Sequence, residues 1–186
     1  MLKKQVFMLI ALLFIPASIT AQGLYVGPQV GWQKASSADA GKLMIGAAFR
    51  MKLSDALGVE GSINYRQEDY NNGDVTVTSY PVMVTGMIYP ISIVYGLIGV
   101  GWYNTSFAYS SAMHQIGIND QTEQKFGWHF GFGAELPLSG SVSSPNTILT
   151  ADIRYVFLNY DFQQMPGSPN LQSDFVVITA GVLFSL

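Results

Sequence analysis

The chain has 186 residues, of which 49% are hydrophobic and only 11% are charged, and its formal net charge is −3. Soluble domains usually have about a quarter of their residues charged, so this composition favours a membrane protein or a large buried sheet. No dense run of lysine and arginine occurs, which argues against nucleic-acid binding. The absence of cysteine excludes disulfides, cysteine-ligated metals and the lipoprotein anchor, which requires a cysteine at its processing site.

The N-terminus has the organisation of a secretory signal peptide. Two lysines precede the apolar run from Val6 to Ile15, and a proline and small residues follow up to Ala21. This run is too short for a permanent membrane helix, and no later apolar stretch approaches the roughly 20 residues that such a helix needs. We therefore predict a signal peptide over residues 1–21, cleaved after Ala21, and a single mature domain over residues 22–186.

The mature sequence is a series of segments in which apolar residues alternate with other types, the pattern of strands whose two faces meet different surroundings. Large apolar side chains form one face, and glycine, small polar and charged residues form the other. We predict eight strands at 24–32, 43–53, 57–68, 74–89, 91–109, 126–136, 147–162 and 175–186. Pro81 lies inside the fourth segment and cannot donate a ladder hydrogen bond, so we expect a β-bulge there.

The sixth segment has the clearest alternation. Its large side chains, which we expect to face lipid, are Phe126, Trp128, Phe130 and Phe132. Glycines, His129 and Glu135 occupy the opposite face. An α-helix would not produce this order, because its faces repeat every 3.6 residues.

The connections also alternate, as do the long extracellular loops and short periplasmic turns of outer-membrane barrels. The polar connections that we predict to lie outside are centred near Ser37, Asn72, Gln115 and Ser168. The predicted periplasmic turns are Ser54–Ala56 and Tyr89–Pro90. The sixth connection, Ser139–Asn146, is unusually long for a periplasmic turn.

The charged residues of the segments fall on the face with small side chains: Arg50, Glu60, Arg66, Glu135, Asp152 and Arg154. A soluble β-sandwich would instead turn its charges to water and its bulky residues to a core. On a lipid face, an arginine near the bilayer midplane costs about 2–4 kcal/mol. The pattern therefore predicts an all-β fold, an eight-stranded antiparallel up-and-down transmembrane β-barrel with its charges in the lumen.

Tyrosine and tryptophan near the segment ends are compatible with aromatic girdles at both membrane interfaces. These residues are Tyr25, Trp32, Tyr65, Tyr89, Trp102 and Tyr155.

Three segments carry a resemblance to a known family: GWHFGFGAEL at 127–136, YGLIGVGWY at 95–103 and VVITAGVLFSL at 176–186. They resemble the small outer-membrane β-barrel domains of OmpA/OmpX-type proteins. The resemblance implies residence among lipids in the outer membrane of a double-membraned bacterium. It also implies a barrel-insertion machinery that recognises an aromatic residue near the end of the closing strand. Phe184 and Leu186 hold those positions here, with Leu186 where phenylalanine is usual.

The lumen of an eight-stranded barrel is just wide enough for side chains to fill. We predict a buried network of Arg50, Glu60, Glu135, Asp152 and Arg154, because desolvated ions need partners. The predicted protein is a monomer without a cofactor, and it has a structural, membrane-integrity or surface-interaction role through its outer loops. The sequence does not identify a loop-binding partner.

Two other functions compete with this interpretation. A passive channel for small or hydrophobic molecules would use Pro28, Pro81 and the glycine-rich strands to open the wall. A lipid-modifying enzyme would need a Ser/His/acid set near the lipid boundary, for which His114 with Ser110, Ser111 and Asp120 is the available group. We predict no catalytic residues, and no metal site, because neither His129 nor His114 has partners at ligand spacing.

Overall fold

The computed structural model describes residues 23–35, 41–70, 75–110, 119–140, 145–158 and 174–186. Within these residues the chain forms eight strands: β1 Gly23–Ala35, β2 Lys42–Lys52, β3 Leu57–Tyr70, β4 Val75–Ile91, β5 Val94–Tyr109, β6 Gln121–Gly140, β7 Pro145–Leu158 and β8 Phe175–Ser185. Each strand pairs antiparallel with the next, and β8 pairs with β1, so the sheet closes into a barrel. The predicted eight-stranded up-and-down barrel is confirmed. No helix in the described part of the chain is long and apolar enough to span a membrane.

The burial of the side chains follows the alternation of the sequence. Leu43 and Phe132 on the outer surface are 76% and 66% exposed, whereas Arg50 and Glu60 in the interior are 1% and 2% exposed. This distribution is the reverse of that in a soluble protein, in which large apolar side chains are buried and charges are exposed. Such a surface suits a barrel whose outer wall contacts lipid.

Several strand ends differ from the prediction. β6 begins at Gln121 and ends at Gly140, because its polar loop-side residues keep the two-residue period without adding apolar side chains. β7 begins at Pro145, so both ends of the predicted sixth connection, Ser139–Asn146, belong to strands. The fourth turn lies at Ser92–Ile93 rather than at Tyr89–Pro90.

Other sequence-based expectations fall on residues that the structure does not describe. They concern the signal peptide, the centres of the four polar connections and the predicted end of the seventh strand at residues 159–162. The signal peptide and its cleavage stay predictions.

The expected bulge at Pro81 was wrong. The β3–β4 register is the same on both sides of Pro81, and Pro81 itself pairs with Tyr103 of β5. Proline removes one donor but inserts no extra residue, so a ladder can lose a hydrogen bond without shifting its register. The irregularity of β4 lies instead between Ile88 and Ile91.

A glycine on the lumen side and one on the lipid side of the wall differ in the space around them, and we expect alanine to have different effects at the two positions. At Gly131, on the lumen side, an added Cβ would lie 2.0 Å from the carbonyl oxygen of Ile153. At Gly96, on the lipid side, an added Cβ would meet nothing within 4 Å. We expect Gly131→Ala to lower the free energy of unfolding by about 1–3 kcal/mol, the usual cost of overpacking. Gly96→Ala should leave it unchanged or slightly raised, and equal urea midpoints for both variants would contradict this expectation.

Candidate functional site: the charged lumen

The charged residues of the lumen come together because their strands place them toward one end of the barrel. We call this the turn end, since it carries the turns at Leu53–Ala56 and Ser92–Ile93; the opposite end is the loop end. Arg50 lies near the end of β2, and Glu60 lies near the start of β3, directly opposite Arg50 in the ladder. Glu135 of β6, together with Asp152 and Arg154 of β7, faces them across the lumen.

Glu60 is the centre of the network. Its Oε2 accepts a hydrogen bond of 2.9 Å from Arg50 Nε, and its Oε1 accepts one of 2.8 Å from Arg154 Nη2. The side chains of all three residues are at most 2% exposed. One buried carboxylate therefore pairs with two buried guanidinium groups. Because water does not reach these ions, their pairing replaces the lost hydration.

The two arginines extend the network in opposite directions. Arg50 Nη1 donates a 2.9 Å hydrogen bond to Glu135 Oε2, and Lys52 pairs with the other oxygen of Glu135. Arg154 Nε donates a 2.6 Å hydrogen bond to Asp152 Oδ1. The connected set has three cations and three carboxylates, so its formal charges balance.

Two tyrosines complete the network at the turn end. Tyr89 donates a 3.0 Å hydrogen bond to Glu135, and Tyr95 donates one of 3.3 Å to Asp152. The guanidinium of Arg50 also lies 4.9 Å from the centre of the Tyr95 ring, a cation–π distance. These hydroxyl groups solvate carboxylates that would otherwise have fewer partners.

The interfacial positions predicted for Tyr25 and Tyr89 were wrong. Both side chains lie in the lumen and are 2% and 5% exposed, because each has the same parity along its strand as the buried charges. Aromatic side chains instead line the outer wall toward the loop end. We call this set the aromatic belt: Trp32, Tyr65, Tyr80, Trp102, Phe126, Trp128 and Phe157. The outer wall at the turn end is largely aliphatic, with Ile88, Leu136 and Leu138 at least half exposed.

Sequence reasoning brought together five of the network residues and missed three. Lys52, Tyr89 and Tyr95 belong to it. The available signal was the position of each residue on the lumen-facing side of its own strand. Arg66 has the lumen parity but lies toward the loop end and is only partly buried. Among the described residues, no hydrogen bond or ion pair joins Arg66 to the network.

The histidine in the lumen lies at the edge of the network. His129 is fully buried, and its Nε2 lies 2.9 Å from the hydroxyl of Thr85. The same hydroxyl oxygen accepts a 3.4 Å hydrogen bond from Arg154. The described residues contain no group of three side chains that could hold a metal ion. Of the serine, histidine and acid group considered for catalysis, His114 and Ser111 lie outside the described residues. Asp120 accepts a hydrogen bond of 2.9 Å from the backbone N–H of Tyr109.

The loop half of the lumen has a different character. It contains a cluster of buried apolar side chains, which we call the apolar cluster: Met44, Tyr103, Val156, Leu158, Phe175 and Val177. Two buried hydroxyl groups, those of Ser79 and Thr105, also lie in this half. Tyr103 of β5 and Phe175 of β8 meet edge to face with ring centres 5.6 Å apart, a favourable arrangement. Side chains from non-adjacent strands thus meet inside the barrel, above the charged network.

The residues predicted to face lipid lie on the outer wall. Phe126, Trp128, Phe130 and Phe132 are 46–66% exposed, and Trp128 stacks on Phe157 of β7 at 4.0 Å. At the end of β8, the side chains of Phe184 and Leu186 are also exposed on the wall. The backbone N–H of Leu186 donates to the carbonyl of Leu24 at 2.9 Å, which extends the closing ladder.

Comparison with known proteins supports the architecture. The model of the family described as outer membrane protein beta-barrel domain matches residues 6–184. No curated protein sequence matches the chain.

Several solved structures share the fold. Ail, the attachment invasion locus protein of Yersinia pestis, is 16% identical, with a TM-score of 0.53 over 88% of this chain and 97% of that chain. Neisserial surface protein A has the same identity, TM-score and coverage. A major outer membrane protein from Thermus thermophilus is 12% identical, with a TM-score of 0.58 over 88% of this chain and 99% of that chain. At these identities the similarity shows the fold alone.

Proposed function

Because the chain belongs to the outer membrane protein beta-barrel domain family, we propose that it serves in the bacterial outer membrane as a sealed barrel. In this proposal its role is structural, in membrane integrity, or interactive, through its outer loops, and it is neither a channel nor an enzyme. The turn end faces the periplasm and the loop end faces outward, as in other barrels with short periplasmic turns.

The filling of the lumen is the observation that supports this proposal. The charged network occupies the turn half, and the apolar cluster occupies the loop half. An ion that crossed the barrel would have to separate paired charges such as Glu60 and Arg154, which are 1–2% exposed. It would then have to pass the apolar cluster, whose side chains cannot replace the water lost by an ion.

The wall also gives little support to a lateral passage for hydrophobic molecules. Beside Pro28, an added Cβ on Gly27 would lie 2.0 Å from the carbonyl oxygen of Val182, so β1 and β8 are in close contact there. The strand that contains Pro81 keeps its register. The prolines therefore shape the wall without separating its strands.

An enzymatic role has no support from the described side chains. His129 is enclosed in the lumen, where it is remote from the lipid boundary at which a lipid-modifying enzyme would act.

The proposed surroundings follow from the closed sheet. Every described strand has a neighbour on both sides within the closed barrel, so its membrane-spanning part offers no sheet edge to another copy, and we propose a monomer among outer-membrane lipids. Assembly would use the barrel-insertion machinery, acting on β8 with Phe184 and Leu186 at its end. Export by a cleaved signal peptide over residues 1–21 completes this proposal.

Conductance of the refolded protein in a planar bilayer tests the sealed barrel. We expect no stable discrete openings, because both halves of the lumen are filled. A matched variant reduces both barriers: Arg50→Ala/Glu60→Ala/Arg154→Ala removes the centre of the network, and Tyr103→Ala/Phe175→Ala removes two rings of the apolar cluster. The combined variant should raise the current above the wild-type baseline. Stable openings of the wild-type protein would overturn the proposal in favour of a channel.

A further inference from the structure

Strands β3, β4, β5 and β6 continue beyond the aromatic belt as a sheet extension at the loop end. The ladders pair Gln67 with Thr78, Thr78 with Ser106, and Asn104 with Gln124. The outward face of this extension continues the lipid-facing side of each strand. We call six of its side chains the amide–hydroxyl wall: Gln67, Thr78, Asn104, Ser106, Thr122 and Gln124.

The members of this wall bind one another across the strands. Gln124 Nε2 donates a 2.7 Å hydrogen bond to Asn104 Oδ1, and Thr122 donates one of 3.4 Å to Ser106. A primary amide has two N–H donors and two acceptor lone pairs, so these contacts use only part of its capacity. The wall therefore presents donors and acceptors that are already oriented, which lowers the entropic cost of binding a partner.

Charge is separated between the two faces of the extension. Glu123 and Lys125 of β6 have the lumen parity, and their charged atoms lie 3.9 Å apart. Arg66 of β3 also has the lumen parity. Among the described side chains of the outward face none is charged, so these residues supply no cation of the kind that recognises phosphate groups or anionic lipid headgroups.

The aromatic belt lies directly below the wall. Tyr65 and Tyr80 have ring centres 5.3 Å apart, and Tyr80 is 45% exposed. The hydroxyl of Tyr65 donates to Gln67 at 2.5 Å, which links the belt to the wall. Ring faces carry partial negative charge and attract the polarised C–H groups of a sugar, whereas amides and hydroxyls bind its hydroxyl groups.

From these features we propose that the amide–hydroxyl wall is a contact surface for the uncharged sugars of glycolipids in the outer leaflet. The proposal rests on the proposed placement of the barrel, since the wall begins where the lipid-facing surface ends. It makes the membrane-integrity role more specific, because the amide–hydroxyl wall would bind the sugar headgroups of the outer leaflet. A lipid with a neutral sugar headgroup should bind more tightly than one with a phosphate headgroup.

Thermal unfolding in nanodiscs of three compositions tests this proposal. The discs contain phosphatidylcholine alone, phosphatidylcholine with digalactosyl diacylglycerol, or phosphatidylcholine with phosphatidylglycerol. We expect the galactolipid to raise the unfolding midpoint of the wild-type protein by about 2–4 °C, with a smaller change from phosphatidylglycerol. Asn104→Ala/Gln124→Ala should lose at least half of that rise, measured from the variant's own midpoint in phosphatidylcholine alone.

A control on the same strand separates contact from general stability. Glu123→Ala/Lys125→Ala changes the opposite face of the extension and should retain the full rise. Gln124→Glu keeps the shape of the side chain but removes its N–H donors, and it should lose part of the rise. This single variant provides the test if the double variant does not fold. Equal midpoints in all three membranes, or a larger rise with phosphatidylglycerol, would overturn the sugar contact and leave the conductance result untouched.

Discussion

Replacing Glu60 by leucine is expected to lower the free energy of unfolding by about 3–5 kcal/mol, because the change removes the carboxylate that two buried arginines share and leaves the network with one uncompensated positive charge. Glu60 binds both Arg50 and Arg154, and the side chains of both arginines are 1% exposed. Neither arginine can regain water without opening the lumen. Urea unfolding in a fixed lipid or detergent, followed by tryptophan fluorescence, measures the loss.

Three control variants distinguish the lost ion pairs from other effects. Glu60→Gln keeps the shape and some hydrogen bonds, so we expect a smaller loss than for leucine. Glu123→Gln changes a pair at 3.9 Å in which the carboxylate side chain is 40% exposed, and its effect should be about 0–1 kcal/mol. Adding Arg154→Met to Glu60→Leu restores the balance of formal charges in the network and should recover part of the stability. A wild-type midpoint for Glu60→Leu would show that the network does not stabilise the barrel.

The number and direction of the strands could be predicted because lipid and lumen impose opposite demands on alternate residues. The lipid-facing wall requires apolar side chains at every second position, so the alternation in segments such as Leu43–Leu53 shows which residues face lipid and which face the lumen. The ends of strands are harder to predict where the chain leaves the lipid and this requirement no longer applies. Residues 121–125 of β6 lie beyond the aromatic belt, and their polar alternation lacks the contrast that marks a strand within the membrane.

Prediction of the site was limited for a different reason. Parity along each strand identifies which charges enter the lumen, and the β2–β3 hairpin brings Arg50 opposite Glu60. The contacts of Arg50 with Glu135, and of Arg154 with Glu60, cross the lumen and depend on the closure of the barrel. The interfacial positions predicted for Tyr25 and Tyr89 were wrong because the prediction relied on residue type, whereas the parity of each residue along its strand places it in the lumen.

Introducing arginine at Phe132 is expected to cost about 2–4 kcal/mol of unfolding free energy, the penalty for a cation near the middle of a lipid-facing wall. Phe132 is 66% exposed and lies midway along the outward-facing apolar residues of β6, which run from Phe126 to Leu138. The guanidinium would have to remain desolvated or extend toward a distant interface. Unfolding in phospholipid bilayers is the suitable measurement, since the penalty arises from the hydrocarbon.

Phe126→Arg provides the matched control on the same strand and face. Phe126 is 58% exposed and lies beside Trp102 at 5.7 Å, just below Gln124 of the amide–hydroxyl wall. An arginine there can reach the polar layer, so its cost should fall to about 0–1 kcal/mol. Equal losses at both positions would contradict this expectation, because they would show that lost packing of the phenylalanine rings, and not the depth of the arginine in the membrane, sets the cost. A loss that is larger at Phe132 would locate the hydrocarbon between the aromatic belt and the aliphatic turn end, the depth at which the charged network lies inside the barrel.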